Sequence, residues 1–404
     1  MDQHDLTDEV AYDRARLNRR TILRLAALAA GSVPLWTVPA AADTGPIVKP
    51  LPPDKFFVYG SNAEMRWEAM AGEGDLVPID RFFVRDHTRT PLISADTWRL
   101  QLFGTGLRGA PAADKPVELT YQDLLDMPAE TVTARIECAG NGRSFFTTQQ
   151  NQTVSGTPWL LGAVGVARWR GVPLATVLER AGLTRSAVDV MPQGLDPDYV
   201  TGGVNLGPVR RPLPVRKALQ DVLLAYEMNG EPLPPDHGFP VRLVVPDWIG
   251  MASIKWVGRI EVSDTPLASP WNTQYYRLFG PDYPPEGELV TKQNTKSAFE
   301  LPWHGTLAAG RTHELRGRSW SGTGGIAAVE VSTNGGRTWR RTTPRGPDRG
   351  WHRWSLPWHP PGRGSYTLRA RATDLTGTPQ PDVAPYNTQG YLFGAVVDHP
   401  VTVS

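Results

Sequence analysis

Glu137-Cys138-Ala139-Gly140-Asn141-Gly142-Arg143 carries the only cysteine in a chain of 404 residues. One cysteine makes no intrachain disulfide, so its use is packing, nucleophilic chemistry or a bond to a metal. Burial is the default for a free thiol. The neighbours argue for chemistry: small residues and an asparagine leave room beside the sulfur, and Arg143 supplies a cation that favours the metal-binding thiolate.

Outward from this run the chain reads as short strands and turns, in keeping with its 38 prolines and 40 glycines. Residues 98–103 alternate like a half-buried strand. Thr120, with Asp123 three positions on, is an N-cap for a short helix. Residues 173–180 read as a helix stopped by Gly182. Residues 241–246 are an apolar strand that contains Arg242, and burying that charge unpaired would be very costly. A linker rich in turns and tyrosines, 265–299, leads into purely β sequence. There, residues 327–332, the turn Asn334-Gly335-Gly336 and residues 338–341 form a hairpin, and residues 365–372 alternate cleanly. These features predict an α+β chain: a mixed domain over 43–285, then an all-β immunoglobulin-like sandwich over 286–404.

Forty-two Lys and Arg against 41 Asp and Glu give no field for nucleic acid or an anionic membrane. Asn18-Arg19-Arg20-Thr21-Ile22-Leu23-Arg24, the apolar residues 25–35 and Ala40-Ala41-Ala42 have the order of a twin-arginine export signal over 1–42. The apolar stretch is too short for a stable membrane span. Export of an already folded protein to the periplasm suits a cofactor inserted in the cytoplasm.

Five ordered blocks resemble the sulfite oxidase family: Phe82-Phe83-Val84-Arg85-Asp86-His87, the Cys138 run, Leu224-Ala225-Tyr226-Glu227-Met228-Asn229-Gly230, Asp236-His237-Gly238-Phe239-Pro240-Val241-Arg242 and Ser253-Ile254-Lys255-Trp256-Val257-Gly258. The resemblance implies a molybdenum–molybdopterin cofactor with Cys138 as the protein's metal ligand. Soft sulfur donors suit such a metal. It implies a pterin pocket walled by Phe83, Val84, Arg85, Asp86, His87, Asp196, His237, Arg242, Ser253, Ile254 and Lys255, with Arg242 pairing the cofactor phosphate. It further implies that Arg85 and Arg143 hold the oxyanion substrate, with Tyr276 and Trp159 as aromatic members of the site; Tyr275 is the alternative to Tyr276. The implied reaction is oxidation of sulfite to sulfate by oxygen-atom transfer, in a chain whose β-sandwich makes a homodimer contact.

Three positions depart from the animal enzymes: Asp86 for asparagine, Gly142 for arginine, and Gln389 for a third pocket arginine. The last weakens the case for a dianion such as sulfite and leaves open another sulfur species or small oxoanion, unless a cation such as Arg277 compensates. One cysteine excludes a covalent Cys-x-x-Cys-His haem, so electrons are expected to pass to a separate acceptor such as a cytochrome. A cofactor-free binding module built on the sandwich is the reading from another class. It leaves Cys138, Arg242 and the leader unused.

Overall fold

The computed structural model describes residues 47–346, 348 and 350–404. The export signal expected over 1–42 lies outside the described residues. Strands predominate over a few short helices, so the chain is mostly β rather than an even α+β mixture. The reason is local: prolines and glycines cut the sequence so often that the longest α-helix among the described residues, Leu174–Arg180, has 7 residues.

Two five-stranded sheets, with smaller three- and two-stranded ones, build the part that carries the Cys138 run. In the first sheet the order is Leu213–Pro214, Asp189–Gly194, Val257–Ser263, Arg99–Phe103, Val117–Thr120. Val257–Ser263 runs parallel to Arg99–Phe103, and its other neighbour is antiparallel. In the second, Glu130–Glu137 pairs with Val164–Pro173, which pairs with Leu223–Met228; Arg242–Val244 also joins the last strand. The predicted alternation over 98–103 appears as Arg99–Phe103, with Leu100 and Leu102 fully buried and Arg99 exposed. Thr120 caps the helix Tyr121–Leu125 in a reciprocal box: Asp123 N donates to Thr120 Oγ1 at 3.0 Å, and Thr120 N donates to the Asp123 carboxylate at 2.8 Å.

Residues beyond 290 build two further sheets. One orders Lys296–Phe299, His313–Trp320, His352–Trp358 and Thr343–Pro344. The other orders Gly305–Leu307, His399–Val403, Gly364–Asp374, Ile326–Ser332 and Arg340–Arg341. Their facing side chains, among them Leu315, Trp354, Val329, Leu368 and Val401, share one apolar core. The expected hairpin is present, with Val331 opposite Arg340 and the turn glycines at φ +71° and +92°. The ladder Arg277–Leu278 with Glu288–Leu289 spans the expected boundary at 285/286, and the first strand of the C-terminal sheets is Lys296–Phe299. Among the described residues no helix is long and apolar enough to cross a membrane.

Candidate active site

The strand Glu130–Glu137 delivers Cys138 to the edge of a cavity enclosing about 730 Å³ of atom-free space, its open mouth included. Of the residues expected at the site, Phe83, Arg85, His87, Cys138, Asp196, His237, Arg242, Ser253, Ile254, Lys255 and Tyr276 line it. Sequence reasoning missed Phe82, Asp236, Met251 and Trp256, which line it too. Asp236 lay within a quoted motif, and its acidic side chain beside His237 was the available signal.

Three cations face the cavity. Arg242 is 4% exposed, and its guanidinium donates to the carbonyls of His237 (2.9 Å), Ser253 (3.1 Å) and Leu243 (3.3 Å). Burial pushes its ionisation down to about 9, against only a distant pull from Asp86. Lys255 is lowered by burial and partly restored by its ion pair with Asp86, and it donates to Asp236 O at 2.8 Å. Arg85 donates to Asp86 O. Burial works against the Arg85 charge, but Tyr276, Cys138, Tyr391 and Asp86 outweigh it, and its ionisation is raised. Val84 and Asp86 therefore stand behind the wall: Val84 packs in the core, and Asp86 anchors Lys255.

His87 and His237 are held well below the usual histidine range, first by burial and then by nearby cations, so both rings are neutral. His87 Nε2 lies 3.1 Å from Tyr276 Oη. Tyr276 takes φ +56°, uncommon for a bulky residue and a mark of functional sites. It stacks on Tyr391 with ring centroids 5.1 Å apart; burial pushes Tyr276 up strongly and Tyr391 up to about 12. Tyr276, not Tyr275, lines the cavity.

Asp196 offers an unused acceptor. Its Oδ2 accepts from Val209 N at 3.2 Å, while its Oδ1 is buried without a partner. Burial raises its ionisation to about 6. A Cβ on Gly194 would sit 2.1 Å from that Oδ1, so the glycine is needed for the carboxylate to turn inward.

Arg143 and Trp159 fall outside the cavity lining. Arg143 Nε donates to Gln389 O (3.0 Å) and its Nη1 to Thr157 O (2.9 Å), leaving the guanidinium against the Tyr391 ring at 5.3 Å. Trp159 is fully buried, edge-on to Tyr59. The expected compensation by Arg277 is not made at this wall: its guanidinium donates to the carbonyls of Asn272, Glu286 and Gly287. Gln389 turns its amide to Gln274 O at 2.9 Å. Gly142 adopts φ +92°, so that position is a turn rather than a missing cation.

A buried arginine with no carboxylate partner, an orphan carboxylate oxygen and a thiol in one cavity lining fit a polar, anionic ligand with ring donors. Among the described residues no three His, Cys, Asp or Glu side chains converge on one point. A metal beside Cys138 would therefore bring other ligands with it. These features define a molybdopterin-type oxidoreductase site, and the matching family models agree: "Oxidoreductase molybdopterin binding domain" over residues 87–271 and "Mo-co oxidoreductase dimerisation domain" over 288–396.

The chain belongs to the sulfite oxidase family. It is 35% identical over 357 residues to sulfite oxidase of Gallus gallus, covering 83% of this chain and 74% of that one. It is likewise 35% identical to mitochondrial sulfite oxidase of Homo sapiens, of which it spans 63% of the length. Among solved structures, the sulfane dehydrogenase SoxCD from Paracoccus pantotrophus superposes with a TM-score of 0.69 at 27% identity, over 89% of this chain and 87% of that one.

Proposed function

We propose that this chain is a molybdenum–molybdopterin oxidoreductase that oxidises sulfite to sulfate. The observation that carries the reading is the single buried thiol and an orphan carboxylate oxygen lining one cavity with Arg85, Arg242 and Lys255. When bound, the cofactor supplies oxygen-atom transfer with a two-electron change at the metal. Cys138 is the protein's ligand to it. Arg242 and Lys255 neutralise its phosphate, Asp196 Oδ1 accepts from a ring donor, and His87, His237, Ser253 and the 253–255 backbone complete the wall.

Arg85 holds the substrate anion, and its charge is favoured by its neighbours. The Tyr276–Tyr391 stack covers this end of the cavity and keeps water from the reacting atoms. The Tyr276 hydroxyl, bonded to His87 Nε2, would hold or relay a proton at this end of the cavity. Arg143 acts at one remove, through its cation–π contact with Tyr391.

The Gln389 amide, turned to Gln274 O rather than into the cavity, favours a second reading within the family: a sulfur substrate less charged than sulfite. The structural likeness to a sulfane dehydrogenase supports keeping it. The C-terminal sheets are read as an immunoglobulin-like sandwich that joins two copies of the chain; the dimerisation model supports the second part of that reading. The twin-arginine leader motif at Arg19-Arg20 supports export to the periplasm. One cysteine rules out a covalent Cys-x-x-Cys-His haem, in keeping with electrons passing to a separate acceptor such as a cytochrome.

The test is the molybdenum-to-protein ratio of material from a host that makes the cofactor, followed by turnover with an artificial electron acceptor. A ratio near one with sulfite turnover is expected. Full loading with turnover only on sulfane or thiosulfonate substrates would move the assignment to the second reading. A ratio near zero beside a control enzyme that loads would overturn both.

A further inference from the structure

Beside Cys138 lies a buried ion pair that faces away from the cavity. The Glu137 carboxylate is 1% exposed. Its Oε1 accepts from Lys296 Nζ at 2.7 Å and Asn141 Nδ2 at 2.9 Å, and its Oε2 from Trp320 Nε1 at 2.9 Å. Lys296 is 2% exposed and also donates to Asn294 Oδ1 at 2.7 Å. Asn294 Nδ2 donates to Leu392 O at 2.7 Å, and Leu392 N donates to Ala139 O at 2.8 Å. The chain of bonds that leaves the cysteine run at Glu137 thus returns to it at Ala139, having passed through residues 294–296 and 392.

The opposite side of the run is closed as well. Cys138 N donates to Ala163 O at 2.9 Å, and Ala163 N donates to Asn141 Oδ1 at 3.0 Å. Residues 137, 138, 139 and 141 are each held, and half of the restraint comes from the C-terminal sheets.

Stability alone does not account for the pair. A buried Lys–Glu pair gives up so much hydration that an apolar pair of equal volume is often as stable or more so. Nor is it needed to hold the two parts of the chain together. Arg135 already crosses over to Gln293 Oε1 (2.6 Å) and Ser321 O (2.9 Å), and Arg318 crosses to Gly74 O (2.8 Å). What is particular to Lys296 is where its bonds lead: to the backbone on both sides of the sulfur.

We propose that Lys296 is a positioning residue for Cys138, acting through Glu137 and Asn294 to set the backbone that aims the thiolate, so that the C-terminal sheets are part of the active-site scaffold and not only a subunit contact. The proposal deepens the reading of Cys138 as the metal ligand and rests on it for its functional consequence.

Because the chain holds a single cysteine, a thiol reagent reports on Cys138 alone. The experiment compares the rate at which Ellman's reagent labels cofactor-free wild type, Lys296→Met and Asn294→Ala, each confirmed as folded by its melting transition. Lys217→Met, which removes the ion pair with Asp221 in the other sheet region, is the control. Labelling at least about tenfold faster in both Lys296→Met and Asn294→Ala, with the control unchanged, is expected for a loosened cysteine run. In loaded protein, the molybdenum(V) paramagnetic spectrum of these variants should shift at unchanged metal content, which a purely stabilising role would not produce. Wild-type labelling rates in both variants, or an equal rise in the control, would overturn the proposal. Should Lys296→Met not fold, Asn294→Ala decides alone, since it strands no charge. If even wild type takes up no molybdenum, the metal-ligand reading fails, while the labelling rates still decide the positioning role.

Discussion

Replacing Arg242 by methionine should leave the cofactor-free protein nearly as stable as wild type while stripping it of cofactor. Burial lowers the ionisation of Arg242 from 12.5 to about 9, a difference of 12.5 − 9, or about 3.5 pH units. Its folded value is depressed. The associated stability is therefore present above 12.5 and lost as pH falls through about 9, so at neutral pH the whole penalty applies. At about 1.4 kcal/mol per unit the ceiling is about 5 kcal/mol.

Against it stand three bonds to carbonyls and a cation–π contact with Trp169 at 5.0 Å, together worth about 3–5 kcal/mol. The two sides nearly cancel. Methionine keeps much of the volume, and water entering the cavity can satisfy the freed carbonyls. We expect the cofactor-free variant to lie within about 2 kcal/mol of wild type. The loaded protein behaves differently, because a charge-assisted bond to phosphate is worth about 1.5–3 kcal/mol, or roughly 10- to 150-fold in affinity. Urea unfolding of cofactor-free protein and molybdenum and pterin assays of loaded protein make the measurement. A loss of more than about 4 kcal/mol with cofactor content unchanged would show that Arg242 serves the strand and not a ligand.

Three more outcomes follow from named groups. Lys49, bonded to the carbonyls of Ile79 and Phe82, is pushed down to about 7 by burial despite Asp236 and Asp80; its contribution is present above 10.5 and lost as pH falls through 7, so the melting point of cofactor-free protein should climb between pH 7 and 10 and climb less in Lys49→Met. Glu64, fully buried on Tyr59 Oη and the Leu160 and Gly162 amides, is raised from 4.5 to about 7. Its contribution is present below 4.5 and lost as pH rises through 7, so Glu64→Gln should flatten a decline of up to about 3 kcal/mol over that window in urea titrations. Gln389→Arg, which adds a cation beside Arg143, should lower the KM for sulfite by about tenfold, the effect of about 1.4 kcal/mol; an unchanged KM would place anion selection elsewhere in the cavity.

Residue type was legible in the sequence wherever chemistry leaves little choice. An arginine inside an apolar strand and a lone cysteine among small residues each announce a constraint, and Arg242 and Cys138 both line the cavity, as does Asp196, which the resemblance implied. The fold was legible to the same depth: the Thr120 cap, the Asn334-Gly335-Gly336 hairpin and the alternating strands are local patterns, and all formed. What sequence spacing could not supply is which carbonyls meet which guanidinium. Arg143, Arg277 and Arg85 look alike as candidates for an anion. The loop at Gln389 and Thr157 takes up Arg143, and the turn at Glu286 and Gly287 takes up Arg277, leaving Arg85 beside Cys138 and Tyr276. Lys49 was invisible for a related reason: its amide bonds a carboxylate 187 positions away. An arginine is available to a substrate only when the backbone around it has been satisfied by something else, and that depends on loops distant in the chain. Which arginine reaches this cavity is accordingly set by the loops carrying Gln389 and Gly287 as much as by the motif that carries Arg85.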